Sequence, residues 1–183
     1  LAGAERLQEE AARLAERHVG RPLRPSEVSA FWVSKGLEFA RTEPLAFLRL
    51  LARKAALFLN GEEIADIMPY AFFARLVPLL QLPWLTFRVV CPLALLGMGL
   101  AWPLRRELRI IYLLVLSHAV SIVLFFVNSR YRMPVVPFFI IFAAYAIWWM
   151  VQQLAHKAFR QWATACAALV GVAMATNVPM VAQ

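Results

Sequence analysis

The sequence predicts an all-α membrane protein, with about four transmembrane helices preceded by extracytoplasmic amphipathic and interfacial helices. Three observations carry this. Hydrophobic residues make up 62% of the 183, and the mean hydropathy is +0.64, far above globular usage. Two runs, 110–127 and 135–151, contain no charged residue, and each is about long enough as a helix to cross a hydrocarbon core of roughly 30 Å. The net charge of +8 is divided unevenly, +1 over residues 1–83 and +7 over 84–183, where the cations sit beside apolar runs. That placement suits lipid headgroups and topology control, and it argues against a groove for nucleic acid. The expected organisation is therefore a helical extracytoplasmic and interfacial region, 1–83, followed by a transmembrane bundle, 84–183.

Residues 1–19 read as an amphipathic helix. Leu7, Ala11, Leu14 and Ala15 follow the helical period against a face of Glu and Arg, and Glu9 and Arg13 pair four apart. Gly20 and Pro22 end it. Ser26 is the expected N-cap of a second helix, with Glu27 in its first turn and Trp32 suited to a membrane interface. Thr42 is the expected cap of a third helix that runs to about Leu59. This third helix alternates an apolar stripe (Leu45, Leu48, Ala52, Ala55, Leu59) with Arg49, Arg53 and Lys54. Burying three cations at mid-membrane costs about 2.5–3.5 kcal/mol each, so a surface-lying helix is expected rather than a crossing one.

Asn60-Gly61 stops that helix and Glu62, Glu63 and Asp66 follow. These acids could ligate a divalent ion or orient a sugar or acceptor, or form a solvated loop that caps or pairs with Arg49, Arg53 or Lys54. Residues 68–82, with Pro69, Arg75 and Pro78, read as a re-entrant or interfacial segment. Four spans are expected after it, at about 84–102, 110–127, 135–151 and 162–181, the last broken by Asn177 and Pro179. His118 and Ser121 fall inside the second span, where a buried, hydrogen-bonded histidine is expected. Cys91 and Cys166, each in an apolar span, read as small core residues.

The turns at 104–109 and 152–161 hold five Lys/Arg and the turn at 128–133 holds two. The positive-inside rule then places the central turn and residues 1–83 outside the cytoplasm. The central turn reads Asn128-Ser129-Arg130-Tyr131-Arg132-Met133-Pro134. Two functions fit it: anchoring helix ends at headgroup level, or gripping a lipid phosphate with Arg130, Tyr131 and Arg132, assisted by Lys54. No nucleophile triad, phosphate-cradling glycine loop or metal-spaced His/Cys cluster is present, so no cofactor is expected, and the sequence leaves divalent-metal dependence open.

The run from Ser129 to Pro137, Ser-Arg-Tyr-Arg-Met-Pro-Val-Val-Pro, resembles the "RYR-LP-x-x-P" signature of bacterial polytopic glycosyltransferases with the GT-C fold. Those enzymes are related to dolichyl-phosphate-mannose protein mannosyltransferases and lipid A aminoarabinose transferases. Phe31-Trp32, Leu50-Leu51-Ala52-Arg53-Lys54 and Asn60-Gly61-Glu62-Glu63-Ile64 are similar to the stretch before the late helices of that family, so the resemblance covers roughly 26–150. It implies transfer of a sugar from a polyprenyl-phosphate carrier to an acceptor on the extracytoplasmic side of a bacterial inner membrane. By that resemblance Tyr131 with Arg130 or Arg132, assisted by Lys54, would contact the carrier phosphate. The family's catalytic aspartate, in an early loop, has no counterpart in residues 1–183, so the resemblance implies a C-terminal portion that lacks catalysis without its N-terminal half. The opening Leu1 agrees with a piece of a larger protein. The competing expectation is a non-enzymatic polytopic protein, a transporter subunit or assembly scaffold, against which the sparse mid-span polarity (Ser117, His118, Ser121) weighs.

Overall fold

The structure, a computed structural model, describes residues 2–61 and 86–180. Among the described residues the fold is all α, without strands. The helices are α1 (Ala2–Val19), α2 (Pro25–Thr42), α3 (Pro44–Leu59), α4 (Phe87–Leu100), α5 (Arg109–Leu124), α6 (Ser129–Arg132), α7 (Val136–Ala155) and α8 (Phe159–Thr176). The chain forms two compact units, residues 1–50 and 51–183, with the boundary between them inside α3. The segment 68–82 lies outside the described residues.

In the first unit α1 packs on α2. Gly20, at φ +79°, takes the left-handed conformation that ends α1. Glu27 then organises the connection: its carboxylate accepts from Arg21 at 2.7 and 3.3 Å and from the Arg24 backbone N–H at 2.8 Å. Arg24, not Ser26, is consequently the N-cap of α2, because Pro25 occupies the first helical position with its φ already set. Thr42 also departs from expectation. Its hydroxyl donates back to the Glu38 carbonyl at 2.9 Å, closing α2, and only Glu43 separates α2 from α3. Trp32 donates its indole N–H to the Ala11 carbonyl at 3.2 Å while its ring stays half exposed.

The second unit is built on α4 and α7, with α8 packed against both. Small residues let the helices meet: Ala94, Ala101, Ala143 and Ala146 are buried, and Gly97 lies directly on the backbone of Phe142. Phe58, Cys91, Val115, Ile122 and Phe139 complete the core. Of the described helices α7 is the one both long and apolar enough to cross a membrane; its 20 residues span about 30 Å. The apolar helices α4 and α5 have 14 and 16 residues, shorter than the runs expected at 84–102 and 110–127. A 3-10 turn at Trp102–Leu104 ends the first, and the second stops at Leu124. Helix α8 begins at Phe159 and ends before Asn177.

Candidate functional site

The site grows out of a one-turn helix. Asn128, extended and buried, accepts at Oδ1 from the Arg130 N–H at 3.1 Å and so caps α6. The tight turn then divides its side chains. Arg132 points inward and is only 3% exposed, whereas Tyr131 is 50% exposed and Arg130 is exposed.

Arg132 reaches the end of α3. Its Nη1 donates to the carbonyl of Asn60 at 2.6 Å and to that of Phe58 at 3.3 Å. The guanidinium carbon lies 4.7 Å from the ring centroid of Phe87, which stacks in turn on Phe139. The intervening Leu59 carbonyl takes the Cys91 thiol at 3.2 Å. A cation there also meets the partial negative charge at a helix C-terminus. The segment is tied from the far side as well: the Asn60 amide donates to Val178 at 2.7 Å and the Gly61 N–H to Thr176 at 2.8 Å. Asn177 donates to the carbonyls of Arg88 and Ala173, and its Oδ1 is buried beside Gly61 without a hydrogen-bond partner among the described residues.

The outward residues have a different setting. The Tyr131 carbonyl accepts from His118 Nε2 at 2.9 Å; because a carbonyl only accepts, that nitrogen carries the proton. The Tyr131 ring meets Phe126 edge-on at 6.2 Å. The neighbouring Phe125 carbonyl takes Lys54 Nζ at 3.3 Å, bridging α3 to the end of α5. Leu51 and Ala55, on either side of Lys54 in α3, line an apolar cavity of about 900 Å³ together with Met98, Leu116, Val120 and Leu124, among others. This is near the upper end of the roughly 300–1,000 Å³ typical of small-molecule sites. Tyr112 also lines it, with its hydroxyl already donating to the Met98 carbonyl at 2.7 Å. A smaller pocket of about 260 Å³ beside α6 carries Ser117, His118 and Ser121; both hydroxyls donate to carbonyls of their own helix.

The sequence-derived set therefore separates. Lys54 and Tyr131 contact the consecutive residues Phe125 and Phe126, and Arg130 is exposed, while Arg132 is turned into the protein. Glu62, Glu63 and Asp66 lie outside the described residues. The sequence did not single out Phe87 or Asn128, and Asn60 read only as a helix stop. An Asn one residue before a short polar turn is the signal that could have found Asn128. His118 is hydrogen-bonded as expected, but half-buried, and its partner is the site's own backbone. Compared with known proteins, the chain matches no family model, no curated protein and no solved structure.

Proposed function

We propose that the chain is the carrier-binding part of a multi-pass inner-membrane glycosyltransferase that moves a sugar from a polyprenyl-phosphate carrier to an extracytoplasmic acceptor. One observation carries the proposal: a large, almost wholly apolar cavity is lined by Ala55 and Leu124, the chain neighbours of Lys54 and of its partner Phe125, and the turn that follows α5 bears an exposed arginine and tyrosine. An amphiphile with a long hydrocarbon tail and an anionic head matches both halves. The tail loses water in the cavity at about 0.8 kcal/mol per methylene. The head meets donors in a partly dry setting, where charge-assisted contacts are strong.

In this reading α4, α5, α7 and α8 are the four spans, and the α6 turn lies at the extracytoplasmic face. The cations of α3 rest among lipid headgroups. Lys54, Tyr131 and Arg130 hold the carrier phosphate and stabilise the charge that develops as the sugar leaves. Glu62, Glu63 and Asp66 are candidates for orienting sugar or acceptor. The catalytic aspartate comes from chain outside residues 1–183.

The test is transfer and carrier binding by the full-length protein in liposomes containing a polyprenyl-phosphate-linked sugar, with protein level and insertion measured beside them. Tyr131→Ala together with Lys54→Ala is expected to abolish transfer and weaken carrier binding without changing insertion. Unchanged transfer would point instead to basic turns that only fix topology, as in a transporter subunit or scaffold.

A further inference from the structure

Among the described residues, three ties hold the α6 turn, each from a different part of the chain. Asn128 caps it from the preceding loop, His118 binds the Tyr131 carbonyl from α5, and Arg132 binds the Phe58 and Asn60 carbonyls at the end of α3. The third tie is the long-range one, spanning more than 70 residues of sequence. It is also the one that joins the turn to the helix bearing Lys54. We infer that Arg132 is a positioning residue: its guanidinium clamps the α3 terminus so that Arg130 and Tyr131 are held at a fixed separation from Lys54, and it does not itself touch the anionic head.

The geometry argues this in three steps. Arg132 is 3% exposed, with one guanidinium nitrogen shared between two carbonyls and the plane set against Phe87. Turning it outward would strip donors from Phe58 and Asn60, and a buried carbonyl left without a donor is disfavoured. Successive residues of a helical turn are rotated by about 100°, so inward burial of one side chain makes its neighbours at the preceding two positions face elsewhere, as Arg130 and Tyr131 do. Finally, the guanidinium lies over the Phe87 ring while its Nη1 serves both carbonyls, and a compact lysine ammonium does not reproduce that stacking.

What the turn contacts rests on the carrier reading; the clamp does not, and the experiment separates them. Nitroxide labels at Arg53→Cys and Met133→Cys, both exposed positions, in a Cys166→Ser background of the full-length protein report the α3-to-α6 distance distribution by pulsed electron resonance. Arg132→Lys and Arg132→Gln are each expected to widen it clearly. An unchanged distribution in both overturns the clamp. The second arm titrates the same proteins, in phosphatidylcholine nanodiscs, with a polyprenyl monophosphate over a series of salt concentrations, inorganic phosphate serving as the tailless control. Arg132→Gln is expected to weaken binding roughly tenfold, by misplacing charged contacts, with the salt dependence kept. Arg130→Ala and Lys54→Ala are expected to flatten it. Flattening by Arg132→Gln with the distances unchanged would make Arg132 a phosphate ligand and overturn the inference. Widened distances in a protein that binds no polyprenyl phosphate would overturn the carrier reading and leave the clamp standing.

Discussion

Arg132 and Asn60 are joined by a 2.6 Å hydrogen bond from guanidinium to backbone carbonyl, and the next residue along the chain donates to the last turn of α8. The end of α3 is thereby enclosed on both sides, by α6 and by the residues around Thr176. Gly61 sits at the middle of this enclosure, where an added Cβ would collide with Asn177 Oδ1 and lie 2.9 Å from the Arg88 Cα.

Gly61→Ala is accordingly expected to destabilise the second unit by about 1–3 kcal/mol, the usual cost of overpacking. Removing the Asn177 side chain as well should recover only part of the loss, since the Arg88 backbone stays in the way. Thermal unfolding of Gly61→Ala and of the double variant Gly61→Ala/Asn177→Ala, compared with wild type, checks both statements. Full recovery in the double variant would show that the Arg88 contact does not matter.

The crossing of α4 and α7 supplies a paired prediction. At Gly97 a Cβ would run into the Phe142 carbonyl, so Gly97→Ala must push the two helices apart, at about 1–3 kcal/mol. Two residues on, Gly99 has nothing within 4 Å of the same added atom. Gly99→Ala should be neutral or stabilise by up to about 1 kcal/mol through helix propensity. The two melting temperatures should move in opposite directions, or the first alone should fall.

Glu27 gives the first unit a pH dependence. The Arg21 guanidinium, and after it the Arg24 backbone N–H, hold its carboxyl below the ordinary glutamate range. A depressed carboxyl stabilises the folded form fully above its unfolded value of about 4.3. That contribution disappears as the pH falls from there through the lowered folded value. Helicity near the α2 start, followed by amide exchange, should weaken over this acid window and not at neutral pH. Glu27→Gln should remove the dependence; the effect is small, because the pair is exposed.

Topology provides the fourth prediction. With the α6 turn on the extracytoplasmic side, Arg130→Cys should react with a membrane-impermeant maleimide added outside intact cells. The native Cys91, buried against the α3 terminus, should stay unlabelled. Protection of Arg130→Cys in cells with labelling after lysis would invert the orientation.

The helices were legible because their signals are local. Gly20 ended α1, and the charge-free run after Pro134 became α7. Thr42 misled because its hydroxyl has two uses, capping forward or bonding back one turn, and sequence does not choose between them. The site was legible by composition and not by direction. Arg130, Tyr131 and Arg132 form one apparent cationic cluster in the sequence, but successive residues of a helical turn face different ways. Which of the two arginines turns inward depends on carbonyls more than 70 residues away. No local pattern contains that information.

Tyr112 is the phenol on the wall of the large cavity, and its one proton is already committed to Met98. The wall is thus nearly mute to functional groups and sensitive to shape. Whatever enters would be sorted there by length and branching alone, carbon by carbon, whereas its ionic state would be judged outside that wall, by Lys54 and the α6 turn. Two molecules sharing a head but differing in tail should then differ in how long they stay, while two sharing a tail but differing in charge should differ in whether they are admitted.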